Sequence, residues 1–342
     1  MSCFSPSGGV AEGRGGPFHL GLTKIILLAL VIFIFPPCTN AQSSYKQAEK
    51  YFKEKKFVQA KPIFENFLKQ NPHDKKTQEY LGDIAAYAAD WDTAISYYKD
   101  LVNEEESNAD FHFKYGAAMG MKAMSISKIR ALGYIGPIKH QLQTAAKLDP
   151  QHIDSRWALI EFYIALPGIL GGSEKKALEY AKELSQISPV DGYLAKGYVA
   201  EECDRPQDAE RYYKKAIEVG GSPHTYEKLA ALYEKNHQPG KAIETAAKSF
   251  KLHKRNQLNY EIGRICAEYN LEPQYGIDCL KEYVANYTLE DGVTKEWAYY
   301  HIAQIYKNLD DKKNALIWID KALSAKRDFP QGKKEKSIIL SL

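Results

Sequence analysis

Cysteine is scarce in this chain: five residues in 342, none at CxxC spacing. That speaks against a small disulfide-stapled fold and leaves no zinc or thiol-redox motif. No basic tract is present either. Lys and Arg total 46 against 43 Asp and Glu, interspersed, for a net charge of +3, so the charge pattern carries no nucleic-acid footprint. A phosphate-cradling loop is missing, because Pro167-Gly168-Ile169-Leu170-Gly171-Gly172 lacks the Lys-Ser/Thr ending that such loops need. The nine His are scattered. Acidic runs such as Glu104-Glu105-Glu106 and Glu201-Glu202 read as solvated helix surface or loop. The nearest thing to a metal cluster is Asp149-Pro150-Gln151-His152-Ile153-Asp154. It reads more simply as Asp149 closing one helix and Asp154 capping the next. No catalytic set, metal site or cofactor site emerges, and the expectation is a protein that is not an enzyme.

Long apolar runs are equally few. The one at 25–35 is about half of what a bilayer-spanning helix requires. Lys24 precedes it, and Pro36-Pro37-Cys38 and Thr39-Asn40-Ala41 follow it before Gln42. A positive residue, a short apolar core and a small residue at the cut make residues 1–41 a secretory signal peptide cleaved after Ala41. The competing reading is a retained anchor, through which alone the protein would touch a membrane. The stretch before Leu22 is long for a leader, which puts the natural start nearer Leu22.

What the chain does have is a repeating pattern. Residues 193–216, YLAKGYVAEECDRPQDAERYYKKA, read as two amphipathic helices around a turn at Asp204-Arg205-Pro206. Leu194, Gly197 and Tyr198 share one side of the first. Ala209, Tyr213 and Ala216 share a stripe of the second, at the spacing of one helix face. The small residues let the two helices approach, and Tyr213 fills the space beside them. The stripe recurs as Ala60, Phe64 and Phe67, closing at Pro72, and as Ala94, Tyr98 and Leu101. Ala94 minus Ala60 gives a period of 34. It recurs again at Ala242 and Ala246, and at Ala315, Ile319 and Ala322. The partner helices carry Leu81-Gly82, Leu229-Ala230 and Ile302-Ala303, while Gly276 and Leu280 pair with Ile262-Gly263 one residue out of step. Two helices per unit at a period in the mid-thirties imply an all-α array of stacked hairpins.

This pattern resembles the tetratricopeptide repeat family, whose units carry a large residue, Leu-Gly and Tyr, then Ala, an aromatic, Ala and a closing Pro. Leu81, Gly82, Ala94 and Tyr98 match it, as do Trp157, Ile160, Ala177 and Pro189. The resemblance implies a right-handed superhelical solenoid of about eight hairpins. The units fall near 42–74, 75–108, 109–153, 154–189, 190–222, 223–255, 256–295 and 296–330, with 331–342 as a capping helix or a loose tail. The third unit is oversized, with its first helix over 110–129 and its second over 137–148. The fourth carries Pro167-Gly168 and Gly171-Gly172 between its helices, and Ser173 caps the second of them. A long third unit followed by such a loop resembles exported bacterial repeat proteins, so the expected location is the periplasm or cell envelope.

The family resemblance also implies which first-helix positions face the inner groove. In units three to five these are Phe113, Ala117, Met121, Ala158, Phe162, Leu166, Leu194 and Tyr198, a stripe more apolar than a solvated groove should be. Either a protein or peptide partner covers it, or the enlarged third unit folds over it. Toward the ends the inward residues turn polar: Glu79, Asp83, Glu227, Glu234, Arg264 and Gln304. Some family members grip a peptide's terminal carboxylate with Lys and Asn. Here Tyr45, Glu49, Glu79 and Asp83 hold those positions, and the acidic ones among them would repel a carboxylate. The functional expectation is a protein–protein interaction scaffold. The alternative is a small-molecule carrier or transporter accessory with a pocket in units three to five. Cys266 and Cys279 fall on antiparallel helices of one unit, either bridged or as buried thiols. Asn286-Tyr287-Thr288 matches a glycosylation acceptor.

Overall fold

The computed structural model describes residues 38–342. The expected leader lies outside them, apart from 38–41, which open the first helix. The described residues form seventeen α-helices and no strand. The architecture is an all-α solenoid of consecutive hairpins. The chain divides into two compact units, Met1–Ala158 and Leu159–Leu342.

The first unit contains α1 (Cys38–Lys53), α2 (Phe57–Gln70), α3 (Lys75–Tyr87), α4 (Trp91–Glu104), α5 (Ala109–Ser125) and α6 (Lys128–Leu148), and the start of α7 (Ile153–Ala165). From α1 to α6 each helix packs on the next in sequence. Ala48, Ala60, Phe64, Leu81 and Ile84 form one core among α1, α2 and α3. Ala94, Tyr98, Leu101, Phe111 and Ala118 belong to a second, among α3, α4 and α5. Each core therefore joins one hairpin to the next, which is why a single hairpin cannot complete it.

The second unit continues through α8 (Glu174–Ile187), α9 (Pro189–Glu202), α10 (Pro206–Val219), α11 (Pro223–Lys235), α12 (Pro239–His253), α13 (Gln257–Tyr269), α14 (Pro273–Ala285), α15 (Lys295–Asn308) and α16 (Lys312–Ala325), and ends on α17 (Pro330–Ser341). Proline stands in the first turn of α9, α10, α11, α12, α14 and α17, where its missing N–H costs nothing. Helix α17 packs on α16 and buries Ile339 beside Ala322 and Phe329.

One device closes the turn inside six hairpins. Lys55, Ala89, Asp204, His237, Asn270 and Asp310 each adopt φ between 52° and 58°. In each case the following N–H reaches back over the turn, as in Asp90 to Ala85 and Arg205 to Ala200, both 2.9 Å. This is the left-handed closure that usually selects glycine, built here from other residues at a cost of about 1 kcal/mol each. Between α7 and α8 the glycines are required. Gly171 has φ 98°, and a Cβ on Gly172 would stand 1.7 Å from the Leu166 carbonyl oxygen. The Ser173 hydroxyl then accepts from the Lys176 N–H, capping α8 as expected.

Two local expectations need correction. The second helix of the oversized hairpin starts at Lys128, nine residues before Pro137, and carries that proline inside it. Pro137 is exposed, so water can satisfy the carbonyl its missing N–H releases, while Ile138, Leu142 and Ala145 hold the helix down from the other side. The cap of α7 is also not Asp154. The His152 ring accepts the Ser155 N–H through Nδ1 at 3.0 Å, which makes Nε2 the donor to the Asp110 carboxylate, also at 3.0 Å. Arg156, buried beside it, donates to the carbonyls of Ala146, Asp149 and His152 and so closes α6. Cys266 and Cys279 are buried free thiols, and burial pushes their pKa values up to about 12 and about 11.

Helix approach within a hairpin depends on missing side chains. A Cβ on Gly197 would lie 2.4 Å from the Tyr213 ring, and one on Gly82 would lie 2.7 Å from that of Tyr98. Gly197→Ala is therefore expected to lower stability by about 1–3 kcal/mol through overpacking, despite its better helix propensity. Gly120 sits inside α5 with nothing within 4 Å of an added Cβ, so Gly120→Ala should instead raise stability by up to ~1 kcal/mol. Urea unfolding of the two variants checks this, and shifts of the same sign would refute the close-contact account.

Candidate functional site

Seven of the eight expected groove residues are half-buried, and Leu194 is fully buried. In the first unit Phe113, Ala117 and Met121 stand four apart along one face of α5, and Ala158 lies on α7. The Phe113 ring lies 5.3 Å from that of His152. In the second unit Phe162 is on α7 with its ring 5.4 Å from Tyr163, and Leu166 is one residue past that helix. Leu194 and Tyr198 are on α9. Burial, then the carboxylates of Glu161, Glu202 and Glu201, push the Tyr198 hydroxyl up to about 12. The stripe is thus partly open side chain and, at Leu194, core.

The polar first-helix residues are not free charges. They join successive first helices in pairs. Lys76 of α3 reaches Glu49 of α1 at 2.7 Å. Lys114 of α5 reaches Glu79 at 2.6 Å and Asp83 at 2.8 Å on α3. In the second unit Lys235 of α11 meets Glu201 of α9 at 3.0 Å, and Arg264 of α13 meets Glu234 of α11 at 2.8 Å. Lys307 of α15 meets Glu335 of α17 at 2.7 Å. Burial alone would push the Lys114 ammonium down, but Asp83 and Glu79 more than offset it and the pKa is raised. The carboxylates expected to repel an incoming group from outside are thus already engaged by a neighbouring helix.

The second unit also holds a pocket of about 420 Å3 on this face. Helix α13 supplies Tyr260, Arg264 and Glu268. Helix α15 supplies Trp297, Tyr300, His301 and Gln304, and Val293 completes the wall. Arg264 donates Nε to Glu261 at 3.1 Å, Nη1 to Glu234 at 3.2 Å and to Glu268 at 2.7 Å, and Nη2 to Glu234 at 2.8 Å. Gln304 donates to the Tyr300 hydroxyl at 3.0 Å, leaving its Oε1 to accept from His301 Nδ1 at 2.9 Å. His301 Nε2 is then the acceptor for the Tyr260 hydroxyl at 3.2 Å. Burial pulls the His301 pKa down to about 4, so the ring is neutral near pH 7. Trp297 is pinned by Phe329, ring centroids 4.8 Å apart.

Arg264 and Gln304 stood among the inward polar positions read from the sequence, but Tyr260, Trp297 and Tyr300 did not. The signal was available. Tyr260 and Tyr300 lie four residues before Arg264 and Gln304, in the register that relates Phe113 to Ala117. Among the described residues no group of His, Cys, Asp and Glu is placed to hold a metal ion, and no helix is long and apolar enough to cross a membrane.

The family model described as tetratricopeptide repeat matches residues 190–219 and 298–329, the hairpins α9–α10 and α15–α16. At these two hairpins the chain is similar to the tetratricopeptide repeat family. Both matched repeats lie in the second unit, and the pocket draws three of its residues, Tyr300, His301 and Gln304, from the second of them. No curated protein sequence matches the chain. Among solved structures, it is similar to a tetratricopeptide repeat protein from Parabacteroides merdae, at 13% identity over 88% of this chain and 98% of that one, TM-score 0.47. It is similar also to YrrB, a repeat protein described as having an unusual peptide-binding site, at 16% identity over 57% of this chain and 97% of that one, TM-score 0.41. A third is a thermophilic repeat protein from Thermus thermophilus, at 16% identity over 70% of this chain and 99% of that one, TM-score 0.39.

The buried imidazole in this repeat pair makes stability depend on pH. His301 takes a proton near pH 4 when folded but near about 6.5 when unfolded. Between those values the unfolded chain binds the extra proton, so its stabilising contribution is complete above about pH 6.5 and declines as pH falls toward 4. His301→Gln, which cannot titrate, should flatten part of that decline. Denaturant melts of both proteins at pH 7.5 and 5 measure the difference, and equal losses would refute the assignment.

Proposed function

We propose that the chain is a non-enzymatic interaction scaffold that receives a segment of a protein partner on its first-helix face. The observation that carries this reading is the makeup of the pocket between α13 and α15. Its polar groups already hydrogen-bond one another, and its aromatic side chains are fixed by packing. Such a surface offers preset shape and charge, the ingredients of recognition. Phe162 and Tyr198, half-buried on first helices, extend the same kind of surface. The partner is a protein or peptide, with no nucleic acid, and the location is the bacterial periplasm or envelope, supported by Lys24 and the apolar run at 25–35. A second reading, a carrier of a small molecule, is favoured by the same pocket, though in the seventh and eighth units rather than the third to fifth.

Photo-crosslinking residues at 162, 198 and 300 should trap protein adducts in intact cells. The same residue at Val58, 87% exposed on α2, or at Leu252, 63% exposed on α12, should not. Equal adducts from both sets would remove the first-helix face from consideration. N-terminal sequencing of the mature protein should begin at Gln42, and recovery of the apolar run would overturn export by cleavage.

A further inference from the structure

The pocket between α13 and α15 is selective in charge, and its selectivity runs opposite to what its arginine suggests. Every nitrogen of the Arg264 guanidinium already donates to a carboxylate: Nε to Glu261, Nη1 to Glu234 and Glu268, Nη2 to Glu234. An incoming anion would have to displace one of them. Three carboxylates surround this one cation. Even with Glu261 counted as neutral, Glu234 and Glu268 leave one net negative charge on the cluster around Arg264, and of the three carboxylates Glu268 is the one that lines the pocket. Glu268 is the exposed member of the set. The carboxylates of Glu335 and Glu268 also act on the Tyr300 hydroxyl, after its burial, to raise its pKa. No lysine lines the pocket, and His301, held between Tyr260 and Gln304, adds no positive charge near pH 7.

The remaining wall is aromatic. Trp297, Tyr300 and Tyr260 present π systems, which attract a cation and pack well on a hydrocarbon stem. A volume of about 420 Å3 suits one long side chain with its flanking backbone. We propose that this pocket anchors a lysine or arginine side chain of the partner segment, its stem against Trp297 and Tyr300 and its charged end at Glu268. The proposal rests on the scaffold reading and specifies the chemistry of the partner at one place on it.

The test uses the full chain and acetylated peptide amides Ala-Ala-Leu-Xaa-Leu-Ala-Ala, in which Xaa is lysine, arginine, norleucine or glutamate, titrated by NMR at low and high salt. The lysine and arginine peptides should bind at least about tenfold more tightly than the norleucine peptide, and the glutamate peptide more weakly still. Raising the salt should erode the lysine advantage, since Glu268 is open to solvent. Glu268→Gln should remove most of that advantage, and Glu268→Arg should reverse the order of the lysine and glutamate peptides. Both changes sit on an exposed side chain, and a thermal melt confirms that the variants are folded. Equal affinity for lysine and norleucine, or an advantage that survives both variants, overturns the anchor but leaves the scaffold standing. Binding of butylammonium as tight as that of the lysine peptide also overturns it, in favour of a free-amine site. Absence of binding by any peptide overturns it too, while the crosslinks at 162 and 198 decide the scaffold separately.

Discussion

The closest approach of two helices in each hairpin is the constraint on which the other features rest. Gly82 against Tyr98 and Gly197 against Tyr213 bring backbone to ring with no room for a methyl group. Both tyrosines are almost wholly buried, and both hydroxyls remain satisfied, by Asp83 at 2.7 Å and Glu201 at 2.8 Å. Each such ring buries enough apolar surface to contribute about 1.5–3 kcal/mol. A two-helix unit has only one inner side, however. The cores that unite Phe64 with Leu81, or Tyr283 with Ile302, are completed only by the following hairpin. Stability in each unit is therefore a sum over neighbours.

The ion pairs between successive first helices follow from the same stacking. Packing sets these helices side by side, and an acid on one then meets a base on the next. Exposed pairs of this kind are worth about 0–1 kcal/mol each. Lys114 and Arg264 are better protected, at 18% and 22% side-chain exposure, and each engages more than one carboxylate. Their removal would leave clustered negative charge without its counterion, so they fix the spacing of neighbouring hairpins more than they add stability.

The sequence showed the architecture because its evidence is periodic. Ala60, Ala94, Ala209, Ala242 and Ala315 are all fully buried, as the recurring stripe required. It misled where a local rule was overruled by packing. Pro137 looked like a helix start, yet Ile138 and Leu142 anchor a helix that runs through it. His152 caps α7 although imidazole is not a usual capping group. The turns at Lys55, Ala89 and His237 carry no glycine to announce their left-handed backbone. The site was legible only in part. Arg264 and Gln304 could be placed by register, and Tyr300 by its spacing of four from Gln304, but Glu234 lies thirty residues from Arg264 and no local spacing marks that pair. The enlarged apolar stripe was legible as composition, whereas the burial of Leu194 was not.

The oversized third hairpin has one further consequence. Helices α5 and α6 run to 17 and 21 residues, while α3, α4, α8 and α9 have 13 or 14. Identical blocks can slide past one another or exchange between molecules without penalty, which is the characteristic misassembly of repetitive proteins. Helix α5 instead meets α6 through Gly116, where an added Cβ would stand 2.9 Å from the Leu142 side chain, a contact particular to this hairpin. The mismatch in length marks a unique origin, and from it every other hairpin can be counted.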